Sequence, residues 1–495
     1  MQRIIMPYEV IIGLEVHVQL KTKAKAFCPA PYVYGEEPNT LCDPVVLALP
    51  GTLPVINKKA IDLMIKMGLM FGCDIAAECK WDRKNYWYPD SPKNYQISQY
   101  DQPLCKGGAV EIELPGASRS VMGEHKKMEL TRIHLEEDPA KLNHNGNFSY
   151  IDDNRTGASL AEIVTEPVFR SGDEAAAFLN ALRMALSQQG ISDCDMEKGQ
   201  MRCDANVSVR KLGETTLNTR TESKNLNSAS AVKACIEWES KRQIALYEAG
   251  RGAEIVQETR RWDAEQGYGY TMRSKEDSQD YRYFPDPDLM PVRVDQAWKD
   301  EIRATIGELP FDRQRRYMEA LGLPYTAASA LIGDPELCAY FEQAARLCGK
   351  PQEVANYVVN DLLRELAAAG EEGQGPLPLA QCRLTPTRLA QLVKLTAEGV
   401  ITKQVAHEVF VESFKTGGDP LAIVDQKGLR AQNDTGELEK LARAALAADP
   451  AAVAKVKGGN DKAINALKGP IMKATRGKAD PKAIDELLRR LIAEI

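Results

Sequence analysis

No run of about 18 uncharged apolar residues occurs in the 495-residue sequence, which argues against a membrane-spanning helix. The first residues, MQRIIMPYEVIIG, have neither the long apolar segment nor the small-residue cleavage site of a signal peptide. The 11 cysteines are irregularly spaced, which indicates reduced thiols and not a disulfide framework. These absences predict a cytoplasmic protein.

Several motifs of nucleotide and acyl chemistry are also missing. No G-x-x-x-x-G-K-[ST] segment occurs, and Gly267-Tyr268-Gly269 does not extend into a dinucleotide-binding fingerprint. No nucleophile elbow is present. If a nucleotide binds, metal ions and side chains on a sheet are expected to hold it.

Charge is unevenly distributed along the chain, whose net charge is −7. Residues 413–495 contain 15 Lys/Arg against 11 Asp/Glu, and residues 1–412 contain 48 against 59. A mildly basic tail on an acidic body fits a tail that touches a polyanion. Lysine-rich small helical domains are also common for reasons of solubility, and charge alone leaves both interpretations open.

Residues 1–292 are predicted to form one domain of mixed α and β structure. Period-two alternation predicts strands over residues 8–20, 201–210 and 218–224. Helices are predicted near residues 57–71 and over 173–189, the second capped by Ser171 or Asp173 and closed by Gly190. The proline-rich segment 284–291 is predicted to be an ordered loop leaving the domain.

The chain then becomes helical, with a predicted helical domain over residues 293–412 and a tail domain over 413–495. Helices are expected over residues 296–305, 310–321, 335–348 and 351–369, followed by a linker at 370–378. Four more helix starts share a capping residue followed by proline, at Thr385-Pro386, Asp419-Pro420, Asp449-Pro450 and Asp480-Pro481.

The most informative segments are 13–18 and 132–138, which place carboxylates and histidines in strand-like stretches. In the first, Glu15 and His17 alternate with apolar residues. On a strand these two side chains point the same way, roughly 7 Å apart, so they can hold one cation between them. The alternative is an amphipathic strand with one solvated face.

Two further predicted strands mix carboxylates with basic groups. Arg202 and Asp204 share one face of the first, and Arg220, Glu222 and Lys224 share one face of the second. Carboxylates hold Mg²⁺ while Lys and Arg neutralise phosphate oxygens, so this pattern favours a phosphate–metal site over an ordinary wet sheet face.

Two segments, 82–95 and 280–288, interleave basic and aromatic residues. Such a pattern can hold a nucleotide or an RNA terminus by stacking combined with charge. Structural loops with buried tyrosines explain it equally well.

The chain contains the longer motifs GLEVHVQL, LALPGTLPVINKKAI, DRKNYWYPDSPKNYQISQYDQPL, HLEEDPAK, SYIDDNRTGASLAEIVTEP, MRCDANVSVR, ESKNLNS, ETRRWD and DYRYFPDPDLMPV. Together these motifs resemble the B-subunit family of the aspartyl/glutamyl-tRNA amidotransferases. The resemblance covers residues 8–292 and continues more weakly to the basic segment KGPIMKATRGKADPKAIDELL.

The resemblance implies an α+β N-terminal cradle domain, with an antiparallel sheet and helices similar to the catalytic fold of glutamine synthetase and guanido kinases. An all-α helical domain and a small all-α tail domain follow. It implies a ligase that uses ATP and Mg²⁺ to phosphorylate the side-chain carboxylate of Glu or Asp misacylated on tRNA. Ammonia released from glutamine by a partner amidase, the A subunit, then displaces the phosphate, and a small C subunit completes the complex.

The resemblance also assigns site residues. Its metal and catalytic positions correspond to Glu15, His17, Glu137, Asp204 and Glu222, with Glu136 adjacent as a further metal ligand. The basic groups expected to contact ATP are Lys84, Arg202, Lys224 and Arg282.

One departure concerns zinc, which many family members hold with a C-x-C and a C-x-x-C motif. This chain keeps Cys28 but has Ala30 at the second position, and Asp43 and Val46 stand where the second pair would be. No structural zinc is expected.

The basic tail is expected to bind the tRNA body through Lys468, Lys473, Arg476 and Lys478. A rival hypothesis is a tRNA-binding scaffold subunit with no chemistry of its own. The presence of all five expected catalytic residues favours the catalytic role. The sequence leaves open whether Glu-tRNA(Gln), Asp-tRNA(Asn) or both are substrates.

Overall fold

The computed structural model describes residues 7–274, 280–370, 375–431, 435–475 and 477–494. The chain divides into two compact units, Met1–Asp312 and Arg313–Ile495. Within the described residues, no helix is long and apolar enough to cross a membrane.

The first unit contains the strands. They are β1 (Tyr8–Gln19), β2 (Asp74–Ile75), β3 (Glu78–Cys79), β4 (Asp82–Asn85), β5 (Tyr95–Ser98), β6 (Cys105–Lys106), β7 (Ala109–Glu113), β8 (His125–Glu137), β9 (Lys141–Asn145), β10 (Phe148–Asp152), β11 (Ser159–Thr165), β12 (Met201–Lys211), β13 (Thr221–Leu226), β14 (Glu258–Asp263), β15 (Tyr268–Ser274), β16 (Phe284–Pro285) and β17 (Val292–Arg293). Its longer helices are α1 (Lys58–Met70), α2 (Gly172–Gln188) and α3 (Ala229–Glu248).

The main sheet has the strand order β15-β14-β13-β12-β1-β11-β8-β6-β2, and β7 pairs with β8 beside this path. Wherever the structure describes the pairing of neighbouring strands in this sheet, the strands are antiparallel, with one exception. Strands β13 and β14 are parallel, and α3 forms the crossover that connects them. The predicted sheet with helices is therefore present, but it is mixed and not purely antiparallel.

Strand β1 shows why one face of this sheet carries the site. Leu14, Val16 and Val18 are buried in the core with residues of α1, α2 and α3, whereas Glu15 and His17 are half-buried on the opposite face. The period of two along a strand places alternate side chains on opposite faces. The helices therefore cover one face and leave the polar face of β1 accessible.

The predicted strands and helices of this unit are confirmed with small shifts of their bounds. In α2 the cap is Ser171, whose side chain accepts a hydrogen bond from the Glu174 N–H. Gly190 follows the helix with φ +67°, a left-handed conformation that suits glycine. Arg220, which was expected on a strand, lies just before β13 and is exposed.

A smaller sheet has the order β16-β4-β5. The segment predicted as a loop at 284–291 therefore contributes two residues, Phe284 and Pro285, as an edge strand paired with β4. Proline is compatible with this position because an edge strand has one unpaired side.

After the last strand the chain is helical. The helices are α4 (Gln296–Arg303), α5 (Pro310–Glu319), α6 (Tyr325–Ile332), α7 (Pro335–Cys348), α8 (Pro351–Asn356), α9 (Leu363–Ala368), α10 (Pro386–Ala397), α11 (Lys403–Thr416), α12 (Pro420–Gln426), α13 (Thr435–Ala448), α14 (Pro450–Lys457), α15 (Ile464–Ala474) and α16 (Pro481–Glu494). A π-helical stretch, Tyr357–Leu362, joins α8 to α9.

All four predicted cap-and-proline helix starts are confirmed. The side chains of Thr385, Asp419, Asp449 and Asp480 each accept a backbone N–H at the start of their helix. Helices α3, α6, α11, α13 and α15 had not been predicted. The expected linker at 370–378 lies partly outside the described residues, and the expected domain boundaries at 292 and 412 stay predictions.

Candidate cation and phosphate site

The two neighbours of β1 bring charged residues to its polar face. Glu15 lies directly opposite Asp204 of β12, and His17 lies directly opposite Glu162 of β11. Directly opposed residues of antiparallel strands project to the same face of the sheet. Three strands therefore present acids and a histidine on one surface.

Three carboxylates, from Glu15, Asp204 and Glu222, form what we call the carboxylate triad. One oxygen of each lies within 4.8 Å of the others. Burial, with the nearby charges of Glu162, Asp204 and Glu222, raises the pKa of Glu15. Three ionised carboxylates this close repel one another, so a nearby cation is needed for all three to stay charged.

Neighbouring side chains hold the carboxylate triad in place. Lys224 Nζ contacts Asp204 and lies 2.8 Å from Glu222 Oε1. The Asn206 amide donates to Glu15 Oε1 at 3.0 Å, and the Thr259 hydroxyl donates to Glu222 Oε2 at 2.8 Å. These donors restrict the carboxylates to one arrangement, as residues around a metal ligand commonly do.

A second cluster, the histidine triad, consists of His17, Glu136 and Glu162, whose ligand atoms also lie within 4.8 Å of one another. Glu162 Oε2 lies 3.5 Å from His17 Nε2 and 3.4 Å from Nε2 of the buried His134. His134 Nε2 lies 3.2 Å from Glu136 Oε1. Glu162 therefore bridges two imidazoles.

Charge in the histidine triad is balanced by these contacts. Burial lowers the pKa of His134, but the charges and hydrogen bonds of Glu162 and Glu136 together outweigh burial and raise that pKa to about 9. Burial lowers the pKa of His17 too, but its hydrogen bond with Glu162 and the charges of Glu162, Glu136 and Asp204 together outweigh burial and raise that pKa. Burial raises the pKa of Glu162, yet His134 and His17 hold it well below its ordinary value.

Strand β5 fixes Glu136. The Ser98 hydroxyl donates to Glu136 Oε1 at 2.9 Å, and the Gln96 amide donates to Oε2 at 3.0 Å. Lys84 lies on the adjacent strand β4, and although burial opposes its charge, the nearby Glu136 raises the pKa of Lys84. A cation therefore faces the histidine triad from the smaller sheet.

The donor atoms fit divalent cations to different degrees. The carboxylate triad offers only oxygen atoms, which Mg²⁺ prefers, and Mg²⁺ commonly takes one or two carboxylates with waters and phosphate oxygens. The histidine triad adds an imidazole nitrogen, which suits transition metals better than Mg²⁺. The carboxylate triad is thus the better fit to Mg²⁺.

Among the described residues, the expected metal ligands divide between two clusters, and Glu137 lies in neither. Its Oε1 contacts the Lys93 ammonium and accepts the backbone N–H of Ile97 at 2.9 Å. Glu136, which was expected only as an adjacent ligand, takes part in the histidine triad instead. Consecutive strand residues face opposite sides, which explains the difference.

The expected phosphate-binding residues occupy different surroundings. Lys84 and Lys224 border the two triads, as described above. Arg202 of β12 lies directly opposite His17 of β1, and its guanidinium pairs with the buried Asp138 at 2.8 Å. Arg282 lies on a loop with its guanidinium 5.4 Å from the Trp87 ring centroid.

The expected tRNA-contacting residues of the tail differ in accessibility. Lys468 pairs with Asp485. Lys473 is exposed and Lys478 is half-buried. Arg476 lies outside the described residues.

Two residues of the site were not singled out from the sequence, namely Glu162 and Thr259. Glu162 did leave a signal, because it is a lone carboxylate in the otherwise uncharged strand SLAEIVT. The Thr259 contact left none, since it depends on the pairing of β14 with β13.

The fold and these clusters define a class of domain: an open mixed sheet with cation-binding donors and lysines on its uncovered face, without a P-loop. Comparison with known proteins narrows this class. Residues 10–300 match the family model described as the GatB/GatE catalytic domain, and residues 339–492 match the GatB domain model.

Curated relatives align over almost the whole chain. Proteins named as the B subunit of aspartyl/glutamyl-tRNA(Asn/Gln) amidotransferase from Opitutus terrae and Carboxydothermus hydrogenoformans are 59% and 48% identical over 493 residues each, which is 99% of this chain and 100% and 99% of theirs. One from Thermodesulfovibrio yellowstonii is 44% identical over 490 residues, which is 99% of this chain and 100% of that protein. The chain belongs to the family of amidotransferase B subunits, and the resemblance inferred from its motifs is confirmed.

Proposed function

We propose that this chain is the ATP-dependent, carboxylate-activating subunit of a glutamine-hydrolysing tRNA amidotransferase, a carbon–nitrogen ligase. The observation that carries the proposal is the shared-face placement of Glu15, Asp204 and Glu222 with Lys224 between them. Three acids beside a fixed ammonium suit a magnesium–phosphate complex. The proposed substrates are Glu on tRNA(Gln), Asp on tRNA(Asn), or both.

The proposed chemistry has two steps. A side-chain carboxylate oxygen of the misacylated residue attacks the γ-phosphorus of ATP, and ADP leaves. Ammonia then attacks the acyl carbon, a proton is lost, and inorganic phosphate leaves with the former carboxylate oxygen. Carboxylate oxygen alone is a poor leaving group, so activation precedes amide formation.

The roles of the residues in this reaction are positioning and charge neutralisation. Mg²⁺, when bound, would neutralise phosphate oxygens and align them for transfer. Glu15, Asp204 and Glu222 would hold it, while Lys224 and Lys84 neutralise developing charge. No protein nucleophile is required.

The resemblance also implies roles for further residues, a fold type and partner subunits, and these belong to the proposed function. We propose that His17 and Glu136 also act at the metal site, and that Arg202 contacts the nucleotide. The N-terminal unit would adopt the glutamine synthetase and guanido kinase type of fold in a cytoplasmic complex. A partner amidase, the A subunit, would supply ammonia, and a small C subunit would complete a heterotrimer.

Zinc is not proposed as a cofactor. Of the four expected ligand positions only Cys28 keeps its cysteine, and Ala30, Asp43 and Val46 occupy the other three. A structural zinc site needs four ligands. Elemental analysis that finds about one zinc per chain would contradict this.

The test of the proposed function compares a variant of the triad with a carboxylate elsewhere on β1. Glu222→Gln in the assembled complex is expected to abolish amide formation from misacylated tRNA and to leave tRNA binding intact. Glu9→Gln, on the same strand as Glu15 but paired with Arg170 and Arg210, should retain activity. Normal amide formation with impaired tRNA binding in Glu222→Gln would favour the scaffold function instead.

A further inference from the structure

Two distant segments rich in aromatic and basic residues meet on one surface of the N-terminal unit. The Asn85 backbone N–H donates to the Tyr281 carbonyl at 2.9 Å, and its side-chain amide donates to the Arg282 carbonyl at 2.8 Å. Together with Tyr100, which stacks on Tyr283, they form a surface that we call the aromatic platform. It consists of Trp87, Tyr88, Tyr100, Tyr281, Arg282 and Tyr283.

Three rings of the platform, those of Trp87, Tyr88 and Tyr100, are open to solvent, whereas Tyr281 and Tyr283 are half-buried. Tyr100 and Tyr283 stack with centroids 4.3 Å apart and an interplanar angle of 11°. Arg282 lies over the Trp87 ring. Trp87, Tyr88 and Tyr100 are 60%, 57% and 61% exposed, although large rings of this kind usually bury their surface.

Arg282, the cation of the platform, has an unusual backbone conformation. Arg282 has φ +44°, which non-glycine residues rarely adopt, and its N–H is held by the Asp280 carboxylate at 3.1 Å. Together with the Asn85 contact, this fixes the loop that carries the guanidinium to Trp87. Such a conformation persists only where the surroundings impose it.

The platform is continuous with the candidate active site. Strand β4 carries Lys84, whose Nζ lies 5.0 Å from the Tyr281 ring centroid. Strand β5, paired with β4, donates the hydrogen bonds from Gln96 and Ser98 to Glu136 of the histidine triad. The paired strands β4 and β5 therefore contact both the platform and the histidine triad.

We propose that the aromatic platform binds the unpaired 3′-terminal nucleotides of the substrate tRNA by base stacking. This rests on the proposed function, because the misacylated residue is attached to that terminus. Stacking on aromatic rings, reinforced by arginine, is how proteins hold single strands without reading sequence. Several separate exposed rings fit successive bases of a strand better than the single adenine of ATP.

The experiment measures binding of the full chain to uncharged intact tRNA and to the same tRNA without its unpaired 3′ nucleotides. The wild type should prefer intact tRNA by about fivefold or more, as expected for stacking of one or more bases. Trp87→Ala should lose most of this preference, and Trp87→Phe, which keeps a ring, should retain much of it. Tyr150→Ala is the matched control, since Tyr150 is 59% exposed on β10, outside the platform.

The outcomes separate this proposal from the proposed function. A preference for intact tRNA that is unchanged in Trp87→Ala overturns the platform, even if amide formation proceeds. Weaker ATP binding in Trp87→Ala with an unchanged tRNA preference assigns the rings to adenine and also overturns it. A wild-type preference that Trp87→Ala removes supports the platform even if the chain fails to activate carboxylates.

Discussion

Glu15 on β1 lies directly opposite Asp204 on β12, and both side chains project from the sheet face that the helices leave uncovered. This pairing brings two carboxylates together without any contribution from loops. A site built on paired strands is held more rigidly than one built on loops, which suits chemistry that depends on positioning.

We predict that Asp204→Asn weakens binding of Mg²⁺ and nucleotide. Removing one charge from the carboxylate triad lowers its affinity for a divalent cation, so addition of Mg²⁺ with ATP should raise the thermal midpoint of the variant less than that of the wild type. Asp263→Asn, on β14 and outside the triad, should respond as the wild type does. An equal response of Asp204→Asn would remove Asp204 from the proposed ligand set.

Thr259→Val should weaken cation binding at the carboxylate triad, because the Thr259 hydroxyl positions Glu222. The substitution removes the 2.8 Å hydrogen bond to Glu222 Oε2 while keeping the side-chain volume nearly unchanged. The change should weaken Mg²⁺ binding by roughly tenfold and destabilise the fold by about 1 kcal/mol.

The control for this prediction is Thr271→Val. Thr271 makes the equivalent bond to Glu258 at 2.7 Å on the neighbouring strands, but outside the triad. Titration of each variant with Mg²⁺ separates the two positions, and equal Mg²⁺ affinities would mean that Thr259 only stabilises the fold.

The sequence predicts the local parts of this site better than the long-range parts. The shared face of Glu15 and His17 follows from alternation within one strand, and it is present. The choice between Glu136 and Glu137 depends on which of them projects to the same sheet face as Glu15 and His17, and composition does not reveal this. The bridging position of Glu162 depends on strand register between β1 and β11, and register is a property of the assembled sheet.

In the helical part of the chain, too, the sequence predicts local features better than contacts between distant residues. Capping residues followed by proline act within one turn, and all four predicted helix starts are present. The pairing of Lys468 with Asp485 joins α15 to α16, and such a contact between helices left no pattern in the sequence.

Lys25 should make stability depend on pH. Its side chain is fully buried, and burial lowers its pKa below 10.5. Between the folded pKa and 10.5 the unfolded chain binds more protons, so this group makes the free energy of unfolding rise with pH in that window. Urea denaturation at several pH values should show this rise in the wild type relative to Lys25→Met. The exposed Lys23→Met should show no such difference, and a parallel pH dependence of Lys25→Met and wild type would contradict the prediction.

The tail should contribute to tRNA binding through its accessible lysines. Lys473→Ala should weaken binding and reduce the slope of log affinity against log salt by about 0.9, because each lost phosphate contact releases one fewer counterion. Lys468→Ala should change the slope less, since Asp485 already neutralises Lys468. Identical slopes in the wild type and Lys473→Ala would leave the basic charge as a solubility feature.

The fate of the carboxylate oxygen tests the central claim most directly. Misacylated tRNA whose attached Glu carries ¹⁸O in the side-chain carboxylate is converted by the assembled complex with ATP and glutamine, and the inorganic phosphate is analysed by mass spectrometry. If this chain activates the carboxylate by phosphorylation, one ¹⁸O atom appears in phosphate for each amide formed, and Glu222→Gln yields none. Unlabelled phosphate accompanying normal amide formation would contradict the account.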